Sequence, residues 1–126
     1  MLSSDIILII EDYEPLLRFS CKALGHCGYH CLAAKNAAEA MQLFAAEHAI
    51  VLVITDLRFS RQGEALEGYV LAEGFRKLRP HLKVLYTTGS GPHEVDVHGA
   101  PFLHKPFSVQ ELLTAVHTVL LGPQIS

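Results

Sequence analysis

What this chain lacks narrows its class before any motif is read. It has no basic block: Lys and Arg number 10 against 13 Asp and Glu, a net charge of −3 with the histidines neutral. Such a chain offers nucleic acid no electrostatic footprint. No apolar run approaches the about 20 residues that a membrane-spanning helix needs. Ser3, Ser4 and Asp5 precede the first apolar run without the basic leader and cleavage pattern of a secreted chain. Cysteine is scarce, and Cys21, Cys27 and Cys31 are odd in number and close in sequence. That is no disulfide framework, and a reducing, cytoplasmic setting is expected. Internal repeats, low-complexity tracts and linkers are absent as well.

What remains is 126 residues, half of them hydrophobic and 18% charged, the size and make-up of one folded domain. Residues 1–121 are expected to form it, with 122–126 as a short tail. Five short apolar runs recur, at 6–10, 29–34, 50–55, 83–87 and 101–104. Their hydrophobicity is continuous rather than alternating, which suits strands buried on both faces of a parallel sheet. Segments with helical spacing lie between them. Pro15 fits a first helical turn, followed by Leu17, Cys21 and Leu24 on one face. Asn36 and Glu39 form a capping pair ahead of Ala40, Leu43 and Phe44, and Ser108 and Glu111 a capping box ahead of Leu112, Val116, Val119 and Leu120. Leu71, Phe75 and Leu78 make a third stripe, stopped by Pro80. A fourth helix over 90–98, with Gly91, Pro92 and few apolar residues, is expected to be short. Strand and helix alternate throughout. The pattern predicts an α/β fold, a doubly wound five-stranded parallel sheet with helices on both faces.

In such folds ligands bind beyond the carboxyl ends of the strands. There the sequence places Glu11 and Asp12 after the first strand, Asp56 after the third, Thr87 and Thr88 near the end of the fourth, and Lys105 and Pro106 after the fifth. Three carboxylates gathered at one sheet edge repel one another unless a raised pKa or a bound cation compensates. An all-oxygen donor set suits a hard ion such as Mg²⁺. A carboxylate beside Mg²⁺ is a competent nucleophile toward phosphorus, with Lys105 as a second positive charge and a threonine hydroxyl as a hydrogen-bond donor to a phosphoryl oxygen.

Glu11-Asp12, the run Ile54-Thr55-Asp56-Leu57, Thr87-Thr88-Gly89 and Lys105-Pro106-Phe107 resemble, in order and spacing, the motifs of response-regulator receiver domains. The resemblance covers nearly the whole chain and is to the single-domain, chemotaxis-regulator-like type of two-component signalling. It implies a flavodoxin-like strand order, 2-1-3-4-5. It further implies Asp56 as phospho-acceptor, with Mg²⁺ held by Asp12 and Asp56, by Glu11 through water, and by the backbone carbonyl of Arg58. Thr88 rather than Thr87 matches the conserved hydroxyl, and Lys105 the conserved lysine ahead of a cis bond to Pro106. Phe102 falls at the aromatic switch position that follows the threonine. The partners implied are a sensor histidine kinase or a histidine phosphotransfer protein and a downstream protein target, with a homodimer as a further option. The chain departs from the family pattern after the acceptor, where Phe59-Ser60-Arg61-Gln62-Gly63 lengthens the loop and Gly68 comes late.

Two rival functions remain at this point. An aspartyl-phosphate phosphohydrolase would need a second aspartate two residues past the nucleophile, where Arg58 stands. A receiver-like interaction module that is never phosphorylated would not need the full acidic set and Lys105. The chain is therefore expected to accept a phosphoryl group without turning over an external substrate. Met1 and the short tail lead to the expectation of a stand-alone protein. The run from His26 to Cys31 superficially suggests zinc, but His30 and Cys31 would point to opposite faces of a strand. No zinc site is expected.

Overall fold

The computed structural model describes residues 5–57, 67–89 and 101–122. In chain order these form β1 (Ile6–Ile10), α1 (Glu14–His26), β2 (His30–Ala34), α2 (Ala37–Ala46), β3 (Ile50–Asp56), α3 (Glu67–Leu78), β4 (Lys83–Thr88), β5 (Phe102–His104) and α4 (Val109–Leu121). All strand pairs are parallel, in the order β2-β1-β3-β4-β5. This is the doubly wound sheet that the continuous apolar runs predict. The expected short helix over 90–98 lies outside the described residues, as does Arg58.

Two hydrophobic clusters sandwich the sheet, because alternate residues of each strand face opposite sides. Ile6, Leu8, Ile10, Val53, Val84 and Tyr86 pack with Ala40 and Phe44 of α2 and Ala72 and Phe75 of α3. Ile7, Ile9, Leu52, Ile54 and Leu85 pack with Leu17 and Leu24 of α1 and Leu112 and Val116 of α4. Burying each of the larger side chains contributes about 1.5–3 kcal/mol.

The helix ends follow their local chemistry. Ser108 and Glu111 close a reciprocal capping box, each side chain bonding the other residue's N–H at 2.9–3.0 Å. The Asn36 side chain accepts from the N–H of Glu39, whereas the Glu39 carboxylate reaches past Asn36 to the N–H of Lys35 at 2.7 Å. The third stripe needs correction. Leu78 is 74% exposed, and the inward face of α3 is Gly68, Ala72 and Phe75, with Leu71 only partly buried. Spacing alone gave Leu78 a core position, but it ends the helix, beyond the reach of the sheet. Arg79 follows it. Its guanidinium lies 3.7 Å from the centre of the Phe44 ring and donates to the carbonyls of Glu47 (2.9 Å) and Phe44, tying the end of α2 to the turn after α3.

Candidate functional site

The site is assembled from the carboxyl ends of four strands. β1 delivers Glu11, whose N–H donates to the Ala34 carbonyl at 3.0 Å, and then Asp12. Asp56 is the last residue of β3 rather than the residue after it. The Leu57 N–H donates to the Thr87 carbonyl (3.1 Å) and the Lys105 N–H to the Thr88 carbonyl (2.8 Å), so the neighbouring strand ends are laced by backbone bonds. The Lys105–Pro106 peptide is cis.

Within this frame Glu11, Asp12 and Asp56 each offer a carboxylate oxygen, all within 4.8 Å of one another. Lys105 reaches into the group, its Nζ 2.7 Å from Glu11 Oε1 and 2.8 Å from Asp56 Oδ2. The other Glu11 oxygen accepts the Tyr13 N–H at 3.0 Å. Glu11 is only 4% exposed, and burial pushes its carboxyl pKa up, against the pull of Lys105 and the Tyr13 N–H and with a smaller push from Asp56. Burial acts against the Lys105 ammonium, but its hydrogen bonds to Asp56 and Glu11 outweigh that and hold its pKa above the ordinary lysine value. Negative charge is therefore under strain at the buried end of the cluster, while exposed Asp12 opens it to solvent.

An all-carboxylate donor set of this span, open on one side to water, fits a hard divalent cation. The residues present therefore match the requirement for Mg²⁺.

The two threonines separate by register. Thr87 pairs with Asp56 and Leu103, whereas Thr88 pairs with His104 and lies on the same face as Tyr86 and Phe102. Both threonines are buried. Phe102 is half-buried, its ring centre 6.1 Å from that of Tyr86, and it stacks on His104. Tyr86 carries a surprise. Its hydroxyl is fully buried with no hydrogen-bond partner among the described residues, and burial, with Glu73 and Tyr69 nearby, pushes its pKa up.

Gly68 is the residue whose contact sequence reasoning missed. Its N–H donates to the Leu57 carbonyl at 2.8 Å. A Cβ there would stand 1.7 Å from the Asp56 carbonyl oxygen and 2.9 Å from Thr55 Oγ1. The late glycine still opens α3 directly against the backbone of Asp56, despite the lengthened loop. Its presence near the start of α3 was the only available signal. Beside Lys105 lies an open apolar groove of about 520 Å³, walled by Tyr13, Leu16, Phe19, Pro106 and Phe107.

A family model, response regulator receiver domain, matches residues 7–117. The response regulator receiver protein CpdR of Brucella abortus (strain 2308) is 29% identical over 121 residues, 92% of this chain and 97% of the relative. Among solved structures, a response regulator receiver protein from Sinorhizobium medicae WSM419 is 28% identical with a TM-score of 0.79, covering 94% of this chain and 95% of its own. The receiver domain of NtrX from Brucella abortus is 27% identical with a TM-score of 0.79, covering 93% and 99%.

Proposed function

The chain belongs to the response regulator receiver domains of two-component signalling, and from that premise we propose that Asp56 is its phospho-acceptor, in a Mg²⁺-dependent reaction. The observation that carries this reading is the Lys105 ammonium shared between Asp56 and buried Glu11 inside a group of three carboxylates.

In the reaction an Asp56 carboxylate oxygen attacks the phosphorus of a phosphohistidine on a sensor kinase or phosphotransfer protein. A P–O bond forms, the P–N bond breaks, and the imidazole leaves with the electron pair and takes up a proton. Glu11, Asp12, Asp56 and the carbonyl of Arg58 would hold Mg²⁺. The ion supplies neutralisation of the phosphoryl oxygens. Lys105 exchanges one carboxylate partner for the new phosphoryl group, and Thr88 donates its hydroxyl to a phosphoryl oxygen. Phe102, on the same face as Thr88, follows the threonine and alters the surface that a downstream protein reads. The apolar groove beside Lys105 receives the phosphodonor protein, because it brings an exposed aromatic surface, Tyr13 and Phe19, to the edge of the acceptor. Residues 1–121 act as one receiver unit in the cytoplasm and turn over no external substrate. Among the described residues no helix is long and apolar enough to cross a membrane.

Incubation with acetyl phosphate and Mg²⁺, followed by intact-mass measurement, tests the reading. The expected result is one added phosphoryl group, lost in Asp56→Asn because an amide is not a competent nucleophile. Asp12→Ala should weaken Mg²⁺ binding in a titration. Undiminished labelling of Asp56→Asn would overturn the assignment.

A further inference from the structure

The third strand carries one polar residue ahead of its terminal aspartate. It reads Ile-Val-Leu-Val-Ile-Thr-Asp, and Thr55 in it is fully buried, with Ile10 of β1 and Tyr86 of β4 as its ladder partners. Apolar residues fill this side of the sheet, and valine would match the shape of threonine there. A buried hydroxyl is costly unless it is hydrogen-bonded. This one is bonded: Thr55 Oγ1 donates to the Asp56 carbonyl oxygen at 2.9 Å.

The bond falls where the register with β1 ends. The β3–β4 register runs to the pair Asp56–Thr87, whereas the β1–β3 register stops one residue earlier, at Ile10–Thr55. The Leu57 N–H donates to the Thr87 carbonyl, so Leu57 faces β4. Backbone directions alternate along a strand, so the Asp56 carbonyl faces β1, just past the last pair. There the Thr55 hydroxyl supplies a donor.

The same oxygen is confined by α3. A Cβ on Gly68 would stand 1.7 Å from it and 2.9 Å from Thr55 Oγ1, so the glycine lies against both atoms. The Asp56–Leu57 peptide is thus held at its oxygen by Thr55 and Gly68 and at its N–H by Thr87. Any turn of that peptide moves the Asp56 carboxylate relative to Lys105, whose Nζ is 2.8 Å away.

We propose that Thr55 is a positioning residue for the acceptor. Its hydroxyl fixes the Asp56–Leu57 peptide and thereby aims the Asp56 carboxylate at the incoming phosphorus. This rests on the reading of Asp56 as phospho-acceptor. Thr55 is fully buried and acts only through Asp56.

The test crosses hydroxyl against volume at position 55 in the full chain. Wild type and Thr55→Ser carry the hydroxyl, whereas Thr55→Val and Thr55→Ala lack it. Wild type and Thr55→Val fill the site, whereas Thr55→Ser and Thr55→Ala leave part of it empty. Each is labelled with acetyl phosphate at saturating Mg²⁺, and the rate per folded molecule is read by intact mass. Thr55→Val and Thr55→Ala should label about tenfold more slowly, short of the about hundredfold loss that a 1 Å misplacement brings. Thr55→Ser should stay within about twofold of wild type. If a variant does not fold, wild type against Thr55→Val, or Thr55→Ser against Thr55→Ala, decides alone. Rates that follow volume instead, with Thr55→Val at the wild-type level or Thr55→Ser as slow as Thr55→Ala, overturn the positioning role while labelling still depends on Asp56. Labelling that is absent from wild type, or that survives in Asp56→Asn, overturns the acceptor reading and this inference with it.

Discussion

The two faces of the sheet are built from similar apolar residues but are put to different uses. On the α1–α4 face, Ile7, Ile9, Leu52, Ile54 and Leu85 meet Leu17, Leu24, Leu112 and Val116, and the packing is mainly apolar, with Ser20 and Thr87 as its buried polar residues. On the α2–α3 face, the same kind of packing near β1 and β3 gives way toward β4 and β5 to groups with unfinished chemistry. There Gly68 touches the Asp56 backbone, the Tyr86 hydroxyl is buried without a partner among the described residues, and Thr88 and Phe102 share its side of the sheet. The α1–α4 packing supports the sheet, and Asp56 ends that face two residues past Ile54; the α2–α3 packing meets the Asp56 backbone at Gly68 and carries Thr88 and Phe102. A parallel sheet allows this division because its strands deliver their ends to one edge while their two surfaces stay chemically independent.

The largest effect that would test this division is expected at Gly68. In Gly68→Ala the new methyl cannot coexist with the Asp56 carbonyl oxygen at 1.7 Å, so the acceptor strand or α3 must shift. A shift of this size at a reacting group costs about a hundredfold in rate, and overpacking costs about 3 kcal/mol of stability. Labelling kinetics and urea unfolding should both register the change. Wild-type labelling would show that the acceptor is not positioned from this face.

Leu112→Ala on the opposite face should cost about 3 kcal/mol in urea unfolding. Its labelling rate per folded molecule should stay at the wild-type level. If labelling falls in proportion to stability, the supporting face is not merely supporting.

Tyr86→Phe should do the reverse of an ordinary core substitution. Removing a buried hydroxyl that has no partner among the described residues should raise stability by about 1 kcal/mol, measured by urea unfolding. A loss of that size would mean that the hydroxyl does bond in the folded state.

The smallest effect concerns thiols on the supporting side. Burial, helped by Cys21, pushes the Cys31 thiol up to about 12, and burial raises Cys21 as well. Both are half-buried, whereas Cys27 is exposed. The neutral thiol is therefore the form that the fold favours at Cys31, and it gives way to thiolate only as pH rises toward that value. At pH 8 iodoacetamide should modify Cys27 first and leave Cys31 last, as peptide mapping would show.

Much of the site was legible because it depends on what ends each strand. Glu11, Asp12, Asp56 and Lys105 could be placed together once the runs before them were read as parallel strands: the structure gathers the three carboxylates within 4.8 Å of one another and pairs Lys105 with Glu11 and Asp56. What escaped depends on approach between elements. Leu78 fits the helical period, yet it projects past the sheet. The closeness of Gly68 to Asp56 arises from how α3 docks, which no spacing rule encodes. The Glu39 carboxylate chose the Lys35 N–H over that of Asn36, a preference of local backbone geometry. The lone hydroxyl of Tyr86 is likewise invisible in a residue that reads simply as a strand former.

The first strand, Ile6–Ile10, is five aliphatic residues in a row, and it leaves the ribosome well before β3, which supplies one of its partners. Short, uncharged, β-prone segments of this kind drive aggregation unless charged residues flank them. Here Asp5 stands on one side and Glu11 and Asp12 on the other. By that rule the carboxylates gathered at the proposed acceptor would also shield the nascent chain. Variants of Glu11 or Asp12 will lose soluble yield as well as cation affinity, and the two losses need separate measurement.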